Sequence, residues 1–134
     1  MIKINDILKQ CNIIEVIGDD SRLISGVAFD SRKCSEEMAF FAIRGTQVDG
    51  HNFISKVIEQ GCKVIVCEQI PETITDNVTY YVVDNTAKSL GYAASEFYDR
   101  PSEKLRLVGV TGTNGKTTIA TFLYRLLYNA GYPC

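Results

Sequence analysis

One tract limits what this chain can fold into. LRLVGV, residues 105–110, reads as an apolar strand, and Thr111-Gly112-Thr113-Asn114-Gly115-Lys116-Thr117-Thr118 follows it directly. Behind the tract, Ile119, Phe122, Leu123, Leu126 and Leu127 recur at helical spacing up to Gly131. The expected unit is a strand, a glycine-rich loop and a helix. Glycines let backbone N–H groups crowd toward an anion with no Cβ in the way. The first amides of the helix have no partner within it, and the helix dipole adds positive potential there. Lys116 is placed to bridge terminal phosphates and Thr117 to set its hydroxyl on Mg²⁺. The tract therefore points to a polyphosphate with Mg²⁺, gripped by Gly112, Thr113, Asn114, Gly115, Lys116, Thr117 and Thr118. It departs from the strict G-x-x-x-x-G-K-[ST] pattern at one place: Val110 stands where that pattern has glycine, and Gly109 comes one residue early.

Such a site has to be local. The 134 residues carry a net charge of −2, so no basic field draws in nucleic acid or an anionic membrane. The apolar fraction of 46% suits a soluble chain with a buried core. The start, MIKINDILKQ, has no signal-peptide core, and no run approaches the roughly 18 apolar residues of a membrane span. The expected location is cytoplasmic. Cys11, Cys34, Cys62, Cys67 and Cys134 form no CxxC pair, and His51 is the only histidine. Buried or idle thiols are expected rather than a zinc site, and no nucleophilic triad can be argued.

Ahead of the tract the pattern alternates. Ile4, Ile7 and Leu8 imply a short helix after an Asn5 cap, and IIEVIG a weak strand. SGVAFDSR reads as a short strand ending at Asp30. Met38 to Ile43 is continuously apolar, as a strand covered on both faces would be. Asp49-Gly50 signals a turn. HNFISKVIEQG reads as a helix buried through Phe53, Ile54, Val57 and Ile58 and capped by Gly61. KVIVC and TYYVV are further strands, separated by the polar loop EQIPETITDN. Thr86 is expected to cap a helix running through Tyr98, with Leu90, Ala94 and Phe97 inward. Asp99-Arg100-Pro101-Ser102 then stops it. The fold class is α/β: a small mixed-sheet domain over residues 1–98, a linker at 99–104, and residues 105–134 opening a second domain.

TGTNGKTT resembles the ATP loop of the Mur ligases, which join amino acids to the peptidoglycan precursor. FDSR, FFAIRGTQVDGHNFI, the turn before KVIVCE, and FYDRPSEKLRLVGVTGTNGKTT are similar to successive segments of the E-type branch. That resemblance implies a small N-terminal domain holding the UDP end of the substrate, with Phe29 and Ser31 lining the site and Thr46, Gln47 and Val48 closing over the nucleotide. Ser31 follows a strand end, where open α/β sheets place ligands. Its hydroxyl both donates and accepts, and Gly45 lets backbone approach a ligand. From the residues alone, Ser31 making a local turn, Asp30 capping, Arg32 pairing with Asp30 or reaching a phosphate, and His51 merely starting a helix stay open.

The resemblance further implies an ATP-dependent ligase, with ATP and Mg²⁺ the cofactors held by residues 112–118 and Lys116 the catalytic cation. It adds the third residue of the stem peptide to UDP-N-acetylmuramoyl-L-alanyl-D-glutamate through an acyl phosphate, with that dipeptide precursor and an amino acid as partners. The family's acidic metal ligand, second metal ligands, modified lysine and amino-acid pocket have no counterpart in these residues. Precursor binding without turnover is therefore the expectation. The rivals are an F-type Mur ligase and a stand-alone UDP-binding module. A small kinase or GTPase would need lid and base-recognition elements for which the chain has no room, and the similar loop of folylpolyglutamate synthases typically ends GKGS.

Overall fold

The structure is a computed structural model that describes residues 1–46 and 48–134. The chain divides into two units, Met1–Ser102 and Glu103–Cys134.

The first unit is built on a five-stranded sheet of order β2-β7-β6-β5-β4. Its strands are β2 (Ile13–Ile17), β4 (Gly26–Ala28), β5 (Met38–Phe41), β6 (Val64–Cys67) and β7 (Thr79–Val83). Strands β4, β5, β6 and β7 pair in parallel, and β2 joins β7 antiparallel at the edge. The apolar runs seen in the sequence follow from layers on both faces. Ala39, Phe41, Val64, Val66, Tyr81 and Val83 point to one side, where they meet Ile4, Ile7 and Leu8 of the first helix and Ala93 of the third. Phe40, Ile65, Cys67, Tyr80 and Val82 point to the other, against Ile54 and Val57 of the second. Alternate residues of each strand thus enter different cores, and every residue of β6 and β7 is buried. Each large apolar side chain so covered contributes about 1.5–3 kcal/mol.

The helices differ from expectation mainly at their starts. α1 (Ile4–Ile7) begins after Lys3, not at an Asn5 cap. Asn5 lies inside it, where its Oδ1 accepts the Tyr81 hydroxyl at 3.0 Å. Two residues ahead of α1, β1 (Ile2–Lys3), pair with β3 (Leu23–Ile24) as a separate ribbon the sequence did not announce. α2 (Ile54–Glu59) follows a 3₁₀ turn over Gly50–Phe53 that Asp49 caps. α3 (Thr86–Phe97) is capped by Asn85, whose side chain accepts from the Lys88 amide at 2.8 Å. Thr86 is instead the first helical residue, buried, its hydroxyl donating to the Ala42 carbonyl at 3.0 Å. The buried line of α3 is Thr86, Ser89 and Ala93, with Leu90 and Phe97 half-buried. The strand expected to reach Asp30 stops at Ala28, because among the described residues it pairs with β5 alone and that pairing ends there.

In the second unit, α4 (Lys116–Asn129) follows the glycine-rich tract, and Gly131 takes the left-handed conformation just past its end. Residues 105–110, expected as a strand, form none. A strand is defined by its ladder, and no described segment pairs with them. Of the expected stripe on α4, only Leu123 and Leu127 are half-buried, and Ile119, Phe122 and Leu126 are exposed.

Candidate functional site

The parallel order of β4 and β5 places their carboxyl ends side by side. The segments leaving those ends, residues 29–32 and 43–50, enclose a cleft of about 600 Å³. Phe29, Asp30, Ser31, Arg32, Ile43, Gly45, Val48 and Gly50 line it, together with Phe53 of the 3₁₀ turn and Lys56 of α2. Open α/β sheets bind ligands in this kind of crevice.

On the β4 side the chain folds into a turn. The Asp30 carboxylate accepts the Arg32 amide at 3.0 Å, and the Asp30 carbonyl accepts the Lys33 amide at 2.9 Å. The Arg32 guanidinium grips the same carboxylate from two nitrogens, at 2.9 and 2.8 Å. These bonds hold the Asp30 carboxyl at about 2, well below its usual range. Asp30 therefore caps and Arg32 pairs with it. Ser31, only 8% exposed, and Phe29, 65% exposed, both line the cleft.

On the β5 side the chain loops out and returns. Arg44 bridges Asp49, the Gly45 amide donates to the Val48 carbonyl at 3.1 Å, and the Gly50 amide donates to the Ile43 carbonyl at 2.8 Å. The neck is tight. A Cβ on Gly50 would lie 2.7 Å from both the nitrogen and the oxygen of Ile43, and one on Gly45 would lie 2.7 Å from the Val48 oxygen. Gly45 is thus explained by the loop's approach to itself rather than by a ligand's. Val48 lines the cleft; Thr46 is exposed at a bend and does not; Gln47 lies outside the described residues.

His51 lies just beyond the neck. Its Nδ1 is 2.6 Å from Asp49 Oδ1, and its Nε2 accepts the Glu68 amide at 2.9 Å and the Gln69 amide at 3.4 Å. Glu68 Oε1 in turn accepts the amide of Thr86 at 3.0 Å and lies 3.0 Å from its hydroxyl, which has the Ala42 carbonyl as its alternative acceptor. The Asp49 carboxyl is lowered, first by the His51 amide and then by its ring. None of these long-range links, nor the part of Lys56, Ile43 and Phe53 in the cleft, carries a local sequence signal.

In the second unit, Gly115 takes the left-handed conformation at φ 77° and starts α4 with no side-chain cap, so the leading amides have no side-chain partner there. Gly112 is at φ 148°. The Lys116 ammonium folds back on the Gly112 carbonyl, and Thr117 and Thr118 are exposed. A left-handed glycine before unpaired helical amides, with a lysine and a hydroxyl alongside, fits a polyphosphate with its Mg²⁺.

Residues 23–98 match the family described as "Mur ligase family, catalytic domain". The chain belongs to the Mur ligase family. It is 50% identical over 131 residues to the UDP-N-acetylmuramoyl-L-alanyl-D-glutamate–2,6-diaminopimelate ligase of Phocaeicola vulgatus, covering 98% of this chain and 27% of that one. It is 46% identical over 132 residues to the enzyme of the same name from Cytophaga hutchinsonii, with the same coverages. The chain therefore spans about a quarter of the length of these relatives. Among solved structures, MurF from Acinetobacter baumannii superposes with a TM-score of 0.62 at 25% identity, over 95% of this chain and 27% of that one. The MurF ligase from Thermotoga maritima in complex with ADP gives 0.54 at 29% identity, over 81% and 23%. The mixed α/β architecture is that of these Mur ligase structures. No described helix is long and apolar enough to cross a membrane.

Proposed function

We propose that this chain carries the precursor-binding and phosphate-gripping parts of an ATP-dependent ligase that adds 2,6-diaminopimelate to UDP-N-acetylmuramoyl-L-alanyl-D-glutamate in peptidoglycan synthesis. Residues 1–98 hold the UDP end of the precursor, 99–104 link, and 105–134 open the ATP-binding domain. The observation that carries the reading is the composition of the cleft. It joins an exposed aromatic ring (Phe29), a sheltered hydroxyl (Ser31) and a cation (Lys56) at the ends of two parallel strands. A planar base stacks on the first, a nucleotide oxygen or N–H bonds to the second, and a diphosphate is attracted by the third. Thr46, Gln47 and Val48 belong to the segment that closes over the nucleotide.

At the second site, bound ATP supplies the phosphoryl group that activates the precursor's terminal carboxylate. The amides of Gly112 to Thr118 orient that polyphosphate, Lys116 offsets charge on its terminal oxygens, and the Thr117 hydroxyl holds Mg²⁺. Diaminopimelate is favoured as the incoming amino acid by the names of the relatives at 50% and 46% identity. The F-type reading is favoured by the solved structures, at 25–29% identity.

The test is calorimetric titration of the dipeptide precursor into the chain. Binding is expected, and Ser31→Ala is expected to weaken it. An unchanged isotherm removes Ser31 from the site. Preference for the tripeptide precursor over the dipeptide would favour the F-type reading instead.

A further inference from the structure

The cleft wall runs from Ile43 to the 3₁₀ turn that starts at Gly50, and among the described residues 44–46, 48 and 49 belong to no helix and to no strand of the sheet. Its own bonds, Gly45 to Val48 and Gly50 to Ile43, close it on itself and fix nothing beyond β5. The hydrogen bonds that tie it to the segment after β6 run through one imidazole, with Arg44 adding a longer ion pair to Glu68. The Asp49 carboxylate can only accept, so Nδ1 carries the hydrogen; the Glu68 amide can only donate, so Nε2 is the bare acceptor. Both nitrogens are occupied, which leaves the ring no atom for a ligand, and His51 does not line the cleft. Its side chain is 13% exposed, sheltered enough for these bonds to compete with water. The network continues outward. Arg44 Nε lies 3.6 Å from Asp49 Oδ2 and 3.8 Å from Glu68 Oε2, and Glu68 holds the first residue of α3.

We propose that His51 is a positioning residue of the precursor site: by tying Asp49 to the first amides after β6, it holds the wall formed by Ile43, Gly45, Val48 and Gly50 in the shape that receives the nucleotide. The proposal rests on the cleft being the UDP site. A histidine that only opened a helix would need one backbone bond and no partner just past β6. Here the ring spans seventeen residues of sequence to reach Glu68. The wall is thereby fixed before ligand arrives, so binding does not have to order it.

The test compares His51→Phe, which keeps the ring volume and removes both polar atoms, with His51→Gln, whose side-chain carbonyl can replace Nε2 as acceptor. Two readouts are taken on the same chain: the Kd for the dipeptide precursor, and hydrogen exchange at the amides of Glu68, Gly45 and Gly50. His51→Phe is expected to weaken binding about tenfold, the effect of losing one or two partly buried hydrogen bonds, and to speed exchange at Glu68 and Gly50 together. His51→Gln is expected to recover binding to within about threefold and to restore protection at Glu68. A folded His51→Phe that binds like the parent overturns the proposal. If His51→Phe does not fold, His51→Gln decides: a folded variant with Glu68 protected but binding lost tenfold also overturns it. If the parent protein itself binds no precursor, the UDP reading fails while the staple remains testable. Unchanged exchange at Glu68 and Gly50 in His51→Phe then refutes it, and coordinated loss of protection supports it.

Discussion

Replacing Gly50 by alanine tests whether the cleft's neck is as tight as its geometry implies. The added Cβ would sit 2.7 Å from the nitrogen and the oxygen of Ile43 and 3.0 Å from the Ala42 carbonyl carbon. All three are backbone atoms continuing from β5, so no side chain can swing aside. Relief requires the neck to open, which breaks the Gly50–Ile43 hydrogen bond of 2.8 Å. Overpacking of this kind costs about 1–3 kcal/mol, and the lost bond adds about 1 kcal/mol. For a unit of 102 residues, where 1 kcal/mol moves Tm by roughly 4–8 °C, the expected fall is roughly 8–32 °C. The matched control is Gly91→Ala on the exposed face of α3, where a Cβ meets nothing within 4 Å. There the change removes a helix-interior glycine and is expected to stabilise by about 0.5–1 kcal/mol. Thermal unfolding followed by near-ultraviolet circular dichroism of the buried Tyr80 and Tyr81 reports on this unit. A Gly50→Ala protein melting within about 2 °C of its parent, a shift worth only a fraction of 1 kcal/mol, would refute the steric argument.

Asn85→Ala removes the cap of α3 and is expected to cost about 1 kcal/mol in urea unfolding with an unchanged m-value; no shift in midpoint would mean the Lys88 amide finds another partner. The Asp30 carboxyl, held at about 2 by Arg32, contributes stability that is present above its usual 3.8 and is lost as pH falls through about 2. Carbon-13 titration should find its midpoint near 2 in the parent and higher in Arg32→Ala, and identical midpoints in the two proteins would contradict the pairing. Lys116→Met should weaken ATP·Mg²⁺ binding in equilibrium titrations at least tenfold by removing the one lysine of the loop, while leaving precursor binding unchanged. Equal ATP affinity would show that the loop does not grip phosphate through that lysine.

The readable parts of the fold were those fixed by local periodicity. TYYVV became β7 residue for residue, KVIVC became β6 less its first lysine, and the turn at Gly61 took the left-handed conformation its glycine allows. The misplaced caps share one cause. Asn5 and Thr86 have side chains suited to capping, but each is claimed by a distant group, Tyr81 for one and Ala42 and Glu68 for the other. Tertiary partners outweighed a local preference worth about 1 kcal/mol. Residues 105–110 have a strand's composition and lack a strand's partner, which no single segment can reveal. At the site, Phe29, Ser31 and Val48 could be named from motif resemblance, and they do line one cleft. Lys56 and the bonds from His51 to the segment after β6 could not be named, because they depend on the placing of α2 and β6 beside the loop.

The proposed function needs two separate grips, one for a uridine nucleotide in the first unit and one for ATP in the second. Adding UDP and then ATP·Mg²⁺ to nitrogen-15-labelled protein tests both in one series of spectra. UDP should move the amides of Phe29 to Arg32, Gly45, Val48 and Lys56, and ATP·Mg²⁺ should move those of Gly112 to Thr118, each leaving the other set still. UDP shifts that spare the cleft, or that coincide with the ATP set and are abolished by ATP, would contradict it.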